Sequence, residues 1–180
     1  MSNNNFKSIG SNVTIYPSAK IIGAENLSIG NNVIIDDFVM IQASKPAYIG
    51  NNVHIASFTS ITGGGEFIIE DFSTLSSGVR FFTGTDDFFG NGLANSTIPD
   101  SYRNVLRSKT VMKKHTIIGA NSVILPGVEI PEGTAIGALS LVRKNLDPWK
   151  IYGGNPLKLL GDRNKHEILK LEAAYLSSMS

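Results

Sequence analysis

Ile49–Ile61 reads IGNNVHIASFTSI, and it contains the unit from which the chain is built. Two six-residue units open on an aliphatic residue, at Ile49-Gly50 and Ile55-Ala56, and a third opens at Ile61. Working outward, Ile9, Ile29, Ile49 and Ile69 are spaced by twenty residues. So are Ile15, Ile35, Ile55 and Leu75, and again Ile21, Ile41, Ile61 and Phe81. Within each set of three the step is six. The residue four places on is small or branched, as at Val33, Val39, Val53, Thr59 and Ser73. After a break, Met112, Ile118, Ile124, Ile130, Ile136 and Val142 resume the six-residue step. Self-similarity at a fixed period marks a repeat architecture, and it takes precedence over local propensity.

The spacing predicts a coil with three flat faces, a short strand on each face and a turn at each corner. The first residue of every hexad points inward, and equivalent positions stack coil on coil about 4.8 Å apart. A single coil cannot bury its own interior, so stability comes from stacking neighbours. An amphipathic helix would need apolar residues at i, i+3, i+4 and i+7. Instead Asn31-Asn32, Asn51-Asn52, Pro126-Gly127 and Pro131 fall at the corners, and such residues punctuate turns. Enlarged corners near Gly23–Asn26, Ala43–Tyr48 and Thr62–Ile68 explain twenty residues per coil rather than eighteen. The run Gly63-Gly64-Gly65 in the last of these is either a roomy corner or a gap where a ligand comes close to backbone.

The chain has 180 residues, 42% of them hydrophobic, enough for one core. A formal net charge of +1 gives no broad pull toward nucleic acid or membrane. The absence of cysteine excludes disulfides and a thiol nucleophile. The N-terminal MSNNNFKSIG has no apolar core of signal-peptide length, and no run approaches 18 apolar residues. A cytoplasmic location is the expectation. Residues 1–8 are expected to be loose.

The hexads, together with IGALSLVRKNLDPWKIYGGNPLKLLGDR at Ile136–Arg163, resemble the hexapeptide-repeat acyltransferases, and most closely the sugar O-acetyltransferases of the galactoside, maltose and surface-polysaccharide type. The resemblance implies an all-β fold, a left-handed parallel β-helix with a long inserted loop and a short C-terminal α-helix. The β-helix domain is expected over 1–161, with the loop at about 83–111, and a helix or tail over 162–180. Ile168, Leu171 and Tyr175 mark the helix, expected to cap or pack along the open end of the stack and blunt its strand edges. A connection as long as the loop is usually functional or disordered, and its aromatics Phe88, Phe89 and Tyr102 predict one that is ordered and docked.

Three histidines are available for chemistry. His54 precedes the inward Ile55, so strand alternation turns it outward. There it is either a plain surface residue or a base titrating near neutral pH, useful for acyl transfer to a hydroxyl. His115 lies on the turn Lys113-Lys114-His115 and is expected in solvent, as is His166 on the C-terminal helix. In the galactoside and maltose enzymes the loop opens on a Thr-Gly-His-like run whose histidine is the base. Here Thr83-Gly84 is followed by Thr85 and then Asp86-Asp87. The expected histidine is missing, so catalysis falls to His54 as base, with Asp86 and Asp87 either orienting it, binding sugar hydroxyls or simply making a loop turn; Thr85, Arg80 and Tyr102 are candidate substrate contacts. The resemblance also implies a groove for acetyl-CoA between neighbouring β-helices. The small corner residues Ala120 and Ala138 would face the pantetheine arm, and Arg143, Lys144, Lys158 and Arg163 would meet the nucleotide phosphates.

The resemblance implies direct transfer of an acetyl group from acetyl-CoA to a hydroxyl of a sugar or sugar nucleotide, in surface polysaccharide biosynthesis, by a homotrimer and with no metal. The alternative on the same fold is N-acetylation of a nucleotide-linked amino sugar, whose amine is itself a nucleophile and can dispense with the loop histidine. A zinc-dependent carbonic anhydrase needs three convergent histidines, and only His54 and His115 fall in the coils. A non-catalytic scaffold would not need the loop or the basic pattern at Lys144 and Lys158.

Overall fold

The computed structural model describes residues 5–179. Three parallel sheets wrap one prism, the coil that the repeat predicts and the left-handed parallel β-helix that the resemblance implies. The first face stacks Ser8–Ile9, Leu27–Ile29, Ala47–Ile49, Phe67–Ile69, Thr110–Met112 and Glu129–Ile130. The second carries Val13–Ile15, Val33–Ile35, His54–Ile55, Thr74–Leu75, Ile117–Ile118 and Ala135–Ile136, and then a terminal hairpin. The third runs from Lys20–Ile22 through Met40–Gln42, Ser60–Thr62, Arg80–Phe82 and Val123–Ile124 to Leu141–Val142. Pairing steps by twenty in the first run (Ile29↔Ile49) and by eighteen in the second (Ile118↔Ile136), as the enlarged corners require.

Every hexad-opening residue from Ile35 to Ile130 is fully buried, including Ile41, Ile49, Ile55, Ile61, Ile69, Leu75, Phe81 and Met112. Full burial of such a side chain contributes roughly 1.5–3 kcal/mol, so the stacked column is the main source of stability. The small position four places on is also buried, and its hydroxyls satisfy corner carbonyls. Thr59 donates to Ser76 O at 3.1 Å, Thr116 to Lys113 O at 2.6 Å and Ser140 to Gly137 O at 2.7 Å.

The corner between the first and second faces repeats a left-handed residue at Asn12, Asn32, Asn52, Phe72, His115 and Trp149, with φ between 53° and 60°. Asparagine tolerates this conformation and the others do so at a cost. The asparagines form a ladder, with Asn12 Nδ2 donating to Asn32 Oδ1 at 2.8 Å and Asn32 Nδ2 to Asn52 Oδ1 at 3.3 Å. Aromatic stacking continues it, with Phe72 and His115 rings 5.3 Å apart and His115 and Trp149 rings 6.0 Å apart.

Three expectations change. Phe6 and Lys7 are not loose: Phe6 packs on the core and Lys7 N donates to Ala24 O and Leu27 O, while residues 1–4 lie outside the described range. The C-terminal helix, Lys165–Ser177, does not cover the end of the stack. It lies along the corner ladder, where Tyr175 Oη donates to Asn52 Oδ1 at 3.0 Å. Lys158–Asp162 closes the end instead, pairing antiparallel with Lys150–Gly153. His115 is not solvated. It is 5% exposed, roofed by that helix, with Nε2 2.9 Å from Glu172 Oε2.

Candidate active site

The chain leaves the third face at Thr83. Gly84–Thr85 then pairs antiparallel with Leu106–Arg107, a short hairpin that roots the long loop. The three-glycine corner receives this root. A Cβ on Gly63 would stand 2.2 Å from Gly84 N, and one on Gly65 would stand 2.3 Å from Ser108 O. Gly63 and Gly64 also hold φ of +118° and +76°, which favours glycine. The close approach is thus made by the chain's own backbone. Thr83 Oγ1 ties the two layers, accepting from Gly65 N and donating to Thr62 O, each at 3.0 Å.

Between the corner and the loop lies a cavity of about 550 Å³, lined by Lys45, Gly64, Thr85, Asp86, Arg103 and Arg107 among others. Asp86 Oδ1 accepts from Arg103 Nη2 at 3.0 Å, and its Oδ2 accepts from Asn95 N at 3.3 Å. The Arg103 hydrogen bond is the largest influence holding the Asp86 carboxyl below the ordinary carboxylate range. Asp87 is used differently. Its two oxygens accept the backbone N–H groups of Phe89, at 3.0 Å, and of Asn91, which fixes the turn of the loop. The loop is ordered, but Phe88 and Phe89 are 88% and 93% exposed and Tyr102 is 65% exposed. Its aromatics are therefore not docked on their own chain. Thr85 lines the cavity, whereas Arg80 is on the exposed third face and donates to Phe58 O.

His54 points outward from the second face, as the alternation predicts, beside Ile34 and Thr74 in adjacent coils. Its Nε2 is 3.1 Å from Asp36 Oδ2. The carboxylate that orients it within the chain is therefore Asp36, rather than Asp86 or Asp87. The repeat carried a signal for this pairing, because Asp36 lies two residues beyond Ile34, the residue in register with His54.

The expected cofactor residues divide. Arg143 and Lys144 line a cavity of about 530 Å³ with Leu141, Tyr152, Pro156 and Leu157. Lys158 is exposed at the start of the last strand. Ala120 and Ala138 stack in one corner, where Leu139 N donates to Ala120 O at 2.9 Å. Arg163 is spent elsewhere: its Nη1 donates to the carbonyls of His115, Gly133 and Thr134. Through Nη1 it fastens the helix root to the coils. No group of three or more metal-ligating side chains forms among the described residues, and among them no helix is long and apolar enough to cross a membrane.

No family model matches the chain. Individual relatives do. The chain is 38% identical over 174 residues to dTDP-4-amino-4,6-dideoxy-D-glucose acyltransferase of Escherichia coli, covering 96% of this chain and 90% of that one. It is 43% identical to a point mutant of AntD, an N-acyltransferase from Bacillus cereus, solved in complex with dTDP and coenzyme A. That superposition has a TM-score of 0.91 and covers 97% of this chain and 92% of the other. A maltose O-acetyltransferase from Clostridium difficile, at 19% identity and a TM-score of 0.61, shares the fold. The chain belongs to the hexapeptide-repeat acyltransferases and is an acyl-CoA-dependent acyltransferase. It is more similar in sequence to the aminosugar acyltransferase and to AntD than to the maltose O-acetyltransferase.

Proposed function

We propose that this protein transfers an acyl group from acyl-CoA to the amino group of a nucleotide-linked amino sugar. The observation that carries the reading is the near-full-length similarity to two enzymes whose described substrate or ligands are a dTDP-amino sugar, dTDP and coenzyme A. Thr85 in place of the loop histidine supports it, since an uncharged amine attacks a thioester without prior deprotonation. The nitrogen bonds to the carbonyl carbon, a backbone N–H stabilises the oxyanion, and the thiolate of coenzyme A leaves. Once bonded to that carbon the cationic nitrogen is far more acidic than a free ammonium. Asp86 accepts its proton even though Arg103 holds the carboxyl below its ordinary range. AntD has also been solved with 3-hydroxybutyryl-CoA, so the acyl group is left broader than acetyl. Arg143, Lys144 and Lys158 form the basic rim for the coenzyme.

Two copies complete each site in this reading, within a homotrimer. Exposed Ile34, Phe38, Met40 and Phe58 border the second and third faces, and Phe88 and Phe89 project from the loop. These surfaces support burial against a neighbouring chain, where His54 would join the cleft.

A second reading, O-acetylation, is favoured by one feature. The Asp36–His54 pair is the arrangement that an otherwise weakly nucleophilic hydroxyl requires. Free thiol release from acetyl-CoA, measured with paired sugar nucleotides that differ only in an amino or a hydroxyl group, separates the two. Turnover confined to the amine supports N-acylation, and turnover of the hydroxyl sugar supports the His54 mechanism.

A further inference from the structure

The cavity under the loop is lined by charges of both signs. At one place Asp86 and Asp100 share the Arg103 guanidinium, at 3.0 and 3.3 Å. Lys45 and Arg107, also in the lining, make no ion pair within 4 Å among the described residues, and Arg107 is near enough to Asp86 to help hold its carboxyl low. Arg107 lies across Gly64, its Nε 3.1 Å from where a Cβ would stand, so the missing side chain gives the guanidinium its place. Arg103 itself is committed to the two carboxylates, and its Nε is buried away from the cavity. Lys45, Gly64 and Arg107 come from successive layers: one corner, the next corner, and the loop root folded over both.

We propose that Lys45 and Arg107 form the diphosphate subsite for the nucleotide sugar, with Asp86 in the same cavity receiving the sugar amine. This rests on the N-acylation reading and adds the residues that select its substrate. A nucleotide-linked amino sugar carries an anionic diphosphate and a cationic amine at opposite ends of the hexose. A cavity with both unpaired cations and a carboxylate fits that distribution, whereas a neutral oligosaccharide would leave Lys45 and Arg107 unmatched. Charge-assisted contacts of basic side chains with phosphate oxygens are strong and directional.

Calorimetric titration of the full chain with dTDP and with inorganic pyrophosphate tests this. Lys45→Ala and Arg107→Ala are each expected to weaken dTDP binding at least about tenfold, equivalent to roughly 1.4 kcal/mol, and more so at low salt. Acetyl-CoA affinity should be unchanged, and Arg107→Lys should recover part of the loss. Asp86→Asn, which removes negative charge from the cavity, should not weaken dTDP. Unchanged dTDP affinity in both alanine variants, with melting temperatures equal to wild type, would overturn the subsite while leaving N-acylation standing. Absence of amine acylation by the wild-type protein would instead remove the reading on which it rests.

Discussion

Asp86 and Asp87 are adjacent in sequence and differ in use. Asp87 spends both oxygens on loop N–H groups, while Asp86 faces the cavity with Arg103 beside it. Asp86→Asn is expected to lower kcat with an amine acceptor by roughly 10²–10⁴-fold, the usual contribution of proton transfer. Acyl-CoA affinity should be preserved, as isothermal titration would show. Asp87→Asn should instead lower the melting temperature of the loop. The pH dependence has a definite sign. A depressed folded pKa stabilises above the unfolded value, about 3.9 for aspartate, and that contribution is lost as pH falls through the lower folded value. Asp86 therefore stays ionised throughout the neutral range, and the acid limb of kcat/KM should follow the free acceptor amine. A limb that disappears in His54→Ala would transfer the proton to the His54–Asp36 pair.

At the scale of elements, the C-terminal helix is fixed to the corner ladder through Glu172, which pairs with both Lys114 and His115. Burial pushes the Glu172 carboxyl up, but the hydrogen bonds from Lys114 and His115 outweigh it and leave it below the ordinary value. Its contribution to docking is full above the unfolded pKa of about 4.3 and is lost as pH falls through the lower folded value. Trp149, the single tryptophan, lies in the same cluster, tilted against the His115 ring. Its fluorescence should report an acid transition below about pH 4 that Glu172→Gln already shows at neutral pH. The glycine corner gives a second test. Gly63→Ala puts a methyl into Gly84 backbone and should release the loop root, seen as faster proteolysis within 84–107 and loss of turnover. The six-residue step made the coils legible, because the inward position repeats and its burial is dictated by chemistry. The helix position, the burial of His115 and the commitment of Arg163 were not legible. They arise where a non-repeating segment meets the stack across 57 or 48 residues of sequence, and no period records such a contact. Asp36 beside His54 falls between these cases, since the register placed it one coil away and only the missing loop histidine drew attention elsewhere.

For the whole molecule, the exposed Phe38–Phe58 stack, with centroids 5.1 Å apart, and the bare aromatics Phe88 and Phe89 are surfaces that a lone chain leaves in water. Light scattering at micromolar concentration should give three chains per particle, with closed cyclic symmetry. Phe38→Ser combined with Phe58→Ser should shift the particle toward monomer and reduce turnover together, whereas a wild-type monomer with full activity would remove the shared site. Substrate choice is the most direct trial of the function. Purified protein with acetyl-CoA is given dTDP-4-amino-4,6-dideoxyglucose or its 4-hydroxy counterpart, and thiol release is followed together with product mass. Formation of the amide from the amino sugar, with no turnover of the hydroxyl compound, is the expected result. Ester formation from the hydroxyl compound with the amino sugar left unchanged would contradict it.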